Sequence, residues 1–277
     1  DIVYRHVQGD LLPVNTDAIV MSAVTIDSGN QIQNIAMTSV EITPSFTLDG
    51  AAFPLSEYND ANFYLRDNTN NSDEMLLGSS HFASPDPVRV INSTMVGSYD
   101  VMYRHETGEA VPQNTNAVVQ SNVVLNGDMN FAVDDVESIN VDGLFTLNGN
   151  NFPSDAGDSV QFLLRDSSND SDEFLFGFSD ISNETVKLIP GTYHVVMDHL
   201  DGDAVPQNEM HEIDFNKVLD MNMTLRVDVP AVRVDPTFTL DGQAFPASIY
   251  QSATFYLRET HAPYNRIFLG RSYKNNS

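Results

Sequence analysis

The phrase Phe46-Thr47-Leu48-Asp49-Gly50 returns as Phe145-Thr146-Leu147-Asn148-Gly149 and again as Phe238-Thr239-Leu240-Asp241-Gly242. Each copy runs on to a Phe-Pro pair, at Phe53-Pro54, Phe152-Pro153 and Phe245-Pro246. Next come Phe63-Tyr64-Leu65-Arg66, Phe162-Leu163-Leu164-Arg165 and Phe255-Tyr256-Leu257-Arg258, and a glycine closes the block at Gly78, Gly177 and Gly270. The opening Phe and the closing Gly both recur at intervals of 99 and then 93 residues, which makes the chain a tandem repeat. In such a chain each repeat is one small unit, and whatever architecture is drawn must be drawn three times in register.

A second block alternates with the first. Val3-Tyr4-Arg5-His6 matches Met102-Tyr103-Arg104-His105 and, more loosely, Val196-Met197-Asp198-His199. Each copy leads into a turn with Pro and Asn: Pro13 and Asn15, Pro112 and Asn114, Pro206 and Asn208. From this block to the next Phe-Thr-Leu the distance is 42, 42 and 41 residues, whereas the opposite spacing changes from 57 to 52. The variable stretch lies around residues 84–96 and reads as a loop that tolerates length changes. The order of blocks divides the chain into four parts. Residues 1–40 are the C-terminal half of a repeat, 41–142 and 143–235 are whole repeats, and 236–277 are the N-terminal half of another. Opening at Asp1, with neither an initiator Met nor a leader, reads as a processed chain or a piece of one.

Within the repeat, apolar and polar residues alternate over short runs separated by Gly, Pro, Asn and Asp. In Met221-Asn222-Met223-Thr224-Leu225-Arg226-Val227-Asp228-Val229 every odd position is apolar, the signature of a half-buried strand. No window sustains a 3.6-residue period over three turns. The Asp-Gly and Asn-Gly pairs supply the positive-φ positions of tight hairpin turns. Seven or so short strands in about 95 residues predict an all-β fold: tandem Ig-like or transthyretin-like antiparallel β-sandwich repeats.

The segment Ile189-Pro190-Gly191-Thr192-Tyr193-His194-Val195, with Gly97-Ser98-Tyr99-Asp100-Val101 in the copy before, resembles the carboxypeptidase regulatory-like and Cna-B-type modules of bacterial surface proteins. The resemblance covers about a third of each repeat and implies a transthyretin-like sandwich used as a stalk or spacer. Cna-B-type modules often carry an internal Lys–Asn/Asp isopeptide bond. Here the lysines are Lys187, Lys217 and Lys274, at non-matching positions, so a staple in every repeat is excluded.

Charge narrows the partners. Thirteen Lys and Arg stand against 39 Asp and Glu, a formal net charge of −26, which repels nucleic-acid phosphates. No stretch reaches the roughly 18 apolar residues of a membrane helix, so no membrane insertion is expected. With 41% hydrophobic residues the chain can bury cores, and without cysteine it has no disulfides or thiol nucleophiles.

Three sets of side chains are candidate sites. The loops after the Arg-ended strands carry Asp67, Asp73 and Glu74 in one copy and Asp166, Asp170 and Asp172 in the next. Carboxylates and amides at this density suit calcium, a hard cation that takes six to eight oxygens, although the spacing is not that of an EF-hand. The same residue types equally make a solvated hairpin tip. The third loop, residues 259–265, has lost nearly all its acids, and the linker carboxylates Asp134, Asp135, Asp142, Asp228 and Asp235 are a second calcium candidate. Arg66, Arg165 and Arg258 fall at one strand end of each copy; they read either as a local ion pair or as a contact to the adjoining repeat. His6, His105 and His199 also recur at one place, which points to a structural job. No nucleophile elbow, phosphate loop or His-Glu-x-x-His is present, so no catalytic residues and no enzymatic activity are expected.

The expectation is a structural extracellular or cell-surface protein, an acidic subunit of a filament, fibre or adhesin stalk. It would self-associate head-to-tail, the two half-repeats completing one another. The competing reading is a calcium-assisted glycan-binding adhesin module, which calls for exposed aromatics in loops; Tyr58, Tyr250 and Tyr264 are the candidates. Six Asn-x-Ser/Thr sequons stand at Asn70, Asn92, Asn169, Asn183, Asn222 and Asn275.

Overall fold

Short alternating segments can bury one face only by pairing into sheets that pack on each other, and the computed structural model of the chain is built that way throughout. It describes all residues except 10, 27–28, 30–33, 92–97, 155–156, 182–183, 247, 259–265 and 273–277. The third acidic loop with Tyr264, part of the variable stretch 84–96, Gly97, the sequons at Asn92, Asn183 and Asn275, and Lys274 therefore lie outside the described residues. The described residues hold strands and no helix.

The chain divides into two compact units. One comprises Asp1–Asn140, Asn169–Glu173 and Lys187–Pro190. Its larger sheet has the order Ala117–Val123, Tyr99–Thr107, Asp60–Asp67, Glu74–Ser79, all antiparallel. The opposing sheet runs Met129–Ala132, Ser39–Ser45, Val88–Ile91. Alternation along the strands aims Ile42, Phe63, Leu65, Leu77, Val90, Val101 and Tyr103 into one core between them. An N-terminal hairpin, Ile2–Tyr4 with Ala18–Met21, belongs to the same unit.

The other unit comprises Val141–Ser168, Phe174–Val186 and Gly191–Ser277. The second sandwich repeats the plan, although Ile139–Asn140, Asn169–Glu173 and Lys187–Leu188 of its strands fall in the first unit: Asn169–Phe178, Ser159–Asp166, Gly191–Asp201 and His211–Leu219 make one sheet, and Asn150–Asn151, Ile139–Leu147, Thr185–Leu188 and Met223–Val229 the other. In Met223–Val229 the positions Leu225, Val227 and Val229 are buried, as the alternation predicts. Two hairpins follow, Thr239–Leu240 with Gln243–Ala244 and Thr254–Arg258 with Arg266–Arg271.

The β-sandwich class is as the pattern predicts. One pairing in each sandwich is not antiparallel. Ser39–Ser45 lies parallel to Met129–Ala132, and Ile139–Leu147 lies parallel to Met223–Val229. A parallel pair cannot be closed by a tight turn, but here the connection is the whole remainder of the sandwich, so the first and last strands of a repeat meet side by side.

Two sequence signals explain most of the local geometry. The Asp49-Gly50, Asn148-Gly149 and Asp241-Gly242 pairs sit at φ of 51 and 75, 50 and 74, and 53 and 77 degrees, the two left-handed positions of a tight hairpin. The three phenylalanines of each first block form one cluster. Phe46 stacks on Phe63 at 3.9 Å and Phe53 meets it edge-on at 5.6 Å. Phe145, Phe162 and Phe152 do the same at 3.9 and 5.9 Å, and Phe238, Phe255 and Phe245 at 3.9 and 5.7 Å. Edge and stacked rings add to the area they bury.

Candidate functional site

In the first two copies the Pro-x-Asn turn after the second block is the place where the repeat reaches beyond itself. Its shape is set locally. Tyr4 donates its hydroxyl to the Pro13 carbonyl at 2.9 Å, and Tyr103 to that of Pro112 at 2.7 Å. Burial pushes the Tyr103 hydroxyl far above its ordinary pKa, with Asp60 and Asp172 adding to the shift, so it remains a donor. Backbone bonds from His6 to the Asn15 carbonyl, from His105 to that of Asn114 and from His199 to that of Asn208 close the turn in all three copies, at 2.8, 2.9 and 3.0 Å. The histidine rings have the structural job their recurrence suggests: each shares a hydrogen bond with the carbonyl of the glycine three residues on, Gly9, Gly108 or Gly202. At Gly108, where φ is +89 degrees, a Cβ would run into the Tyr58 carbonyl, so glycine is required there.

So held, Asn15 acts in two directions. Its Nδ2 donates to Asp73 Oδ2 at 2.7 Å, and its Oδ1 accepts from the Ile91 amide at 2.7 Å. The other Asp73 oxygen accepts from the amides of Thr16 and Asp17 at 2.8 and 3.0 Å. Asn15 and Asp73 are both fully buried. Ninety-nine residues on, the same atoms meet again. Asn114 Nδ2 donates to Asp172 Oδ2 at 2.7 Å and Oδ1 accepts from the Ile189 amide at 2.8 Å, while Asp172 Oδ1 accepts from Thr115 and Asn116 at 2.7 and 2.9 Å. A backbone bond runs alongside, from Val14 to the Arg89 carbonyl in one case and from Gln113 to that of Lys187 in the other. All of these residues belong to the first compact unit. We call this arrangement the latch: a buried carboxylate whose charge is met by one amide side chain and two backbone N–H groups, donors that strengthen when the acceptor is ionised.

The residues singled out from the sequence are spread around the latch. Asp67 is buried and caps its own turn through Thr69, and Asp166 does so through Ser168. Asp170 is exposed. Glu74 takes a 2.7 Å ion pair from Arg104. Of the linker acids, Asp135 and Asp228 accept from the amides of Gly50 and Gly149, and Asp142 accepts from the Thr185 hydroxyl. Among the described residues no three His, Asp or Glu side chains gather into a group that could hold a metal ion. Arg66 lies 3.6 Å from Asp100 and Arg165 2.8 Å from Glu212, each within its own sheet, and Arg258 is exposed. Sequence reasoning missed Asn15 and Asn114. The signal was present, since both stand 58 residues before their aspartates.

Another cluster invites a catalytic reading. Asp60, Ser79 and His81 touch one another, but His81 Nδ1 faces both the Ser79 hydroxyl at 2.6 Å and Asp60 at 2.8 Å. A proton relay needs the two partners on opposite ring nitrogens, so this group anchors a strand end and does not activate a nucleophile.

No family model matches the chain, and no curated protein matches it. Solved structures do. They include a leucine-rich repeat protein from Bacteroides thetaiotaomicron (15% identity, 70% of this chain and 26% of that one, TM-score 0.25). They also include GBS52, the minor pilin of Streptococcus agalactiae (11%, 73% and 98%, 0.31), and the shaft pilin SpaA of Lactobacillus rhamnosus GG (10%, 72% and 100%, 0.23). The chain thus spans about a quarter of the Bacteroides protein and nearly the whole of both pilins.

Proposed function

We propose that this chain is a structural protein of the cell exterior, a length of stalk or filament in which successive repeats are locked by the latch. The repeats in this reading are the four segments 1–40, 41–142, 143–235 and 236–277. The observation that carries it is the recurrence, atom for atom, of the Asn15–Asp73 contact at Asn114–Asp172. A turn that is buried against the next copy of the repeat at two successive steps is a device for joining copies in series. Copies of the chain would then join head-to-tail, the half-repeat 1–40 of one completing the half-repeat 236–277 of another. Such a heterologous contact does not close on itself and yields a filament. Negative-stain electron microscopy of the 277-residue chain should show fibres, and deletion of residues 1–40 should abolish them. Fibres that persist after the deletion sink the head-to-tail part. Compact single particles from the intact chain sink the whole reading.

A second reading, an adhesin that holds glycan with calcium through its acidic loops, is favoured by one observation. Tyr58 and Tyr250 are 74% and 91% exposed and sit on the same turn, each amide held by the serine hydroxyl two residues back, Ser56 or Ser248. A glycan-array signal that disappears with a chelator and with Tyr250→Ala would support it.

A further inference from the structure

The hairpin Thr254–Arg258 with Arg266–Arg271 is one half of a sheet whose other half occurs twice in the molecule. In the first unit the equivalent strand, Asp60–Asp67, lies between Glu74–Ser79 and Tyr99–Thr107. In the second sandwich Ser159–Asp166 lies likewise between Asn169–Phe178 and Gly191–Asp201. Thr254–Arg258 has the first of these neighbours, and among the described residues no strand pairs with its other edge. Its side chains record the difference. Leu257 is 49% exposed where Leu65 and Leu164 are fully buried, and Leu240 is 50% exposed where Leu48 is 6%.

A counterpart of that second neighbour stands at the other end of these 277 residues, in the hairpin Ile2–Tyr4 with Ala18–Met21, which corresponds to Tyr99–Thr107 with Ala117–Val123. Asn15, Thr16 and Asp17, in the loop between its strands, are already locked on Asp73. Tyr99–Thr107 performs both tasks at once: it pairs with Asp60–Asp67, and the turn that follows it is latched onto Asp172. The N-terminal hairpin makes the latch, and among the described residues no strand pairs with the other edge of Ile2–Tyr4, where Val3 is 47% exposed while Met102 and Val196 are buried. A hairpin fixed in this way would reach a partner edge with part of the entropy cost of association already met.

Building on the array reading above, we propose that this hairpin of one copy adds to the edge of Thr254–Arg258 in a second copy, in a register set by the whole repeats. Those pair Phe63 with Tyr103, Tyr64 with Met102, Leu65 with Val101 and Arg66 with Asp100. The joint therefore pairs Phe255 with Tyr4, Tyr256 with Val3, Leu257 with Ile2 and Arg258 with Asp1, giving a four-stranded antiparallel sheet. Charge agrees at its end. Asp100 receives the Asn122 amide on Oδ1 and faces Arg66 with Oδ2. Asp1 already receives the Ala23 amide on Oδ1, which leaves Oδ2 in the place that meets Arg258. A discordant pair is part of the same register. Arg104 meets Glu74 in the first repeat, whereas Arg5 would meet Arg266, so this joint is weaker than it could be.

Because the chain has no cysteine, the register can be read covalently. Directly opposed residues of an antiparallel pair have Cβ atoms within about 5.5 Å, close enough for a disulfide after slight adjustment. A Val3→Cys chain and a Tyr256→Cys chain, carrying tags of different size, would be mixed, oxidised and run on a non-reducing gel. We expect a heterodimer at least ten-fold above that of Val3→Cys mixed with Tyr58→Cys, a site outside the proposed pairing that is more exposed than Tyr256 and so gives random oxidation the better chance. Adding Arg266→Glu to the acceptor chain should raise the yield several-fold. A yield at the Tyr58→Cys level overturns the proposal, and so does a yield that falls with Arg266→Glu. The array reading fails separately: fibres on the grid without this cross-link leave the latch array standing and remove the joint, whereas the cross-link without fibres does the reverse. The same mixture made with any longer natural form of the chain must keep the yield: a segment from outside these 277 residues that occupies the face would bring it to the control level and overturn the joint.

Discussion

The two oxygens of Asp73 satisfy three donors at once, Asn15 Nδ2 and the amides of Thr16 and Asp17. Asp73→Ala leaves buried donors without an acceptor and should cost about 3 kcal/mol; urea unfolding measures the loss, and faster hydrogen exchange at Thr16 and Asp17 locates it. Asp60 carries a different prediction. Burial alone would raise its pKa, but hydrogen bonds from Ser79, His81 and Ser80 outweigh it and hold the carboxyl below its ordinary value. A carboxylate with a depressed folded pKa stabilises above its unfolded pKa of about 3.9 and loses that contribution as pH falls through the folded value. Urea midpoints followed from pH 6 to pH 2 should therefore fall more steeply for the native chain than for Asp60→Asn. Glu184 has the opposite sign: burial first, then Asp180, raise its pKa, so Glu184→Gln should stabilise the fold at pH 7. Little of this was legible beforehand. The carboxylates stood out as a group suited to calcium, but the partner of Asp73 lies 58 residues away, and composition does not encode such a meeting.

At the scale of elements the sequence spoke more clearly. Alternation in residues 223–229 gave the buried face of the last strand, and the Asp-Gly and Asn-Gly pairs gave the hairpin turns at Asp49, Asn148 and Asp241. The parallel pairing of Ser39–Ser45 with Met129–Ala132 was not legible, because alternation reports which face is buried and says nothing of which edge a strand joins. The phenylalanine cluster gives this scale its test. Phe63 and Phe162 are fully buried and Phe255 is half-buried, at matching positions. Phe63→Ala or Phe162→Ala should cost about 3–5 kcal/mol, and Phe255→Ala about 1 kcal/mol in isolated chains. Thermal unfolding separates them. If copies join through the open hairpin, the Phe255→Ala variant should lose association with a melting temperature only a few degrees lower.

For the molecule as a whole, a net charge of −26 sets the terms of association. Any joint between copies forms against mutual repulsion, which salt screens over a Debye length that falls from about 30 Å at 0.01 M to about 10 Å at 0.1 M. Sedimentation velocity should show larger species at 0.3 M NaCl than at 0.01 M; the reverse order would mean that specific ion pairs, not net repulsion, govern assembly. The side-by-side first and last strands of each sandwich have a mechanical consequence. When a chain is pulled from both ends, the force enters along the first strand and leaves along the last. Parallel neighbours then slide past one another, and every rung between them is loaded together instead of opening one at a time. Ser39–Ser45 and Met129–Ala132 share four register positions, whereas Ile139–Leu147 and Met223–Val229 share seven. Past its four positions the first contact resumes, after a break, at a bridge between Leu48 and Val136, so under tension that interrupted ladder is the fuse and the unbroken one of seven is the part that outlasts it.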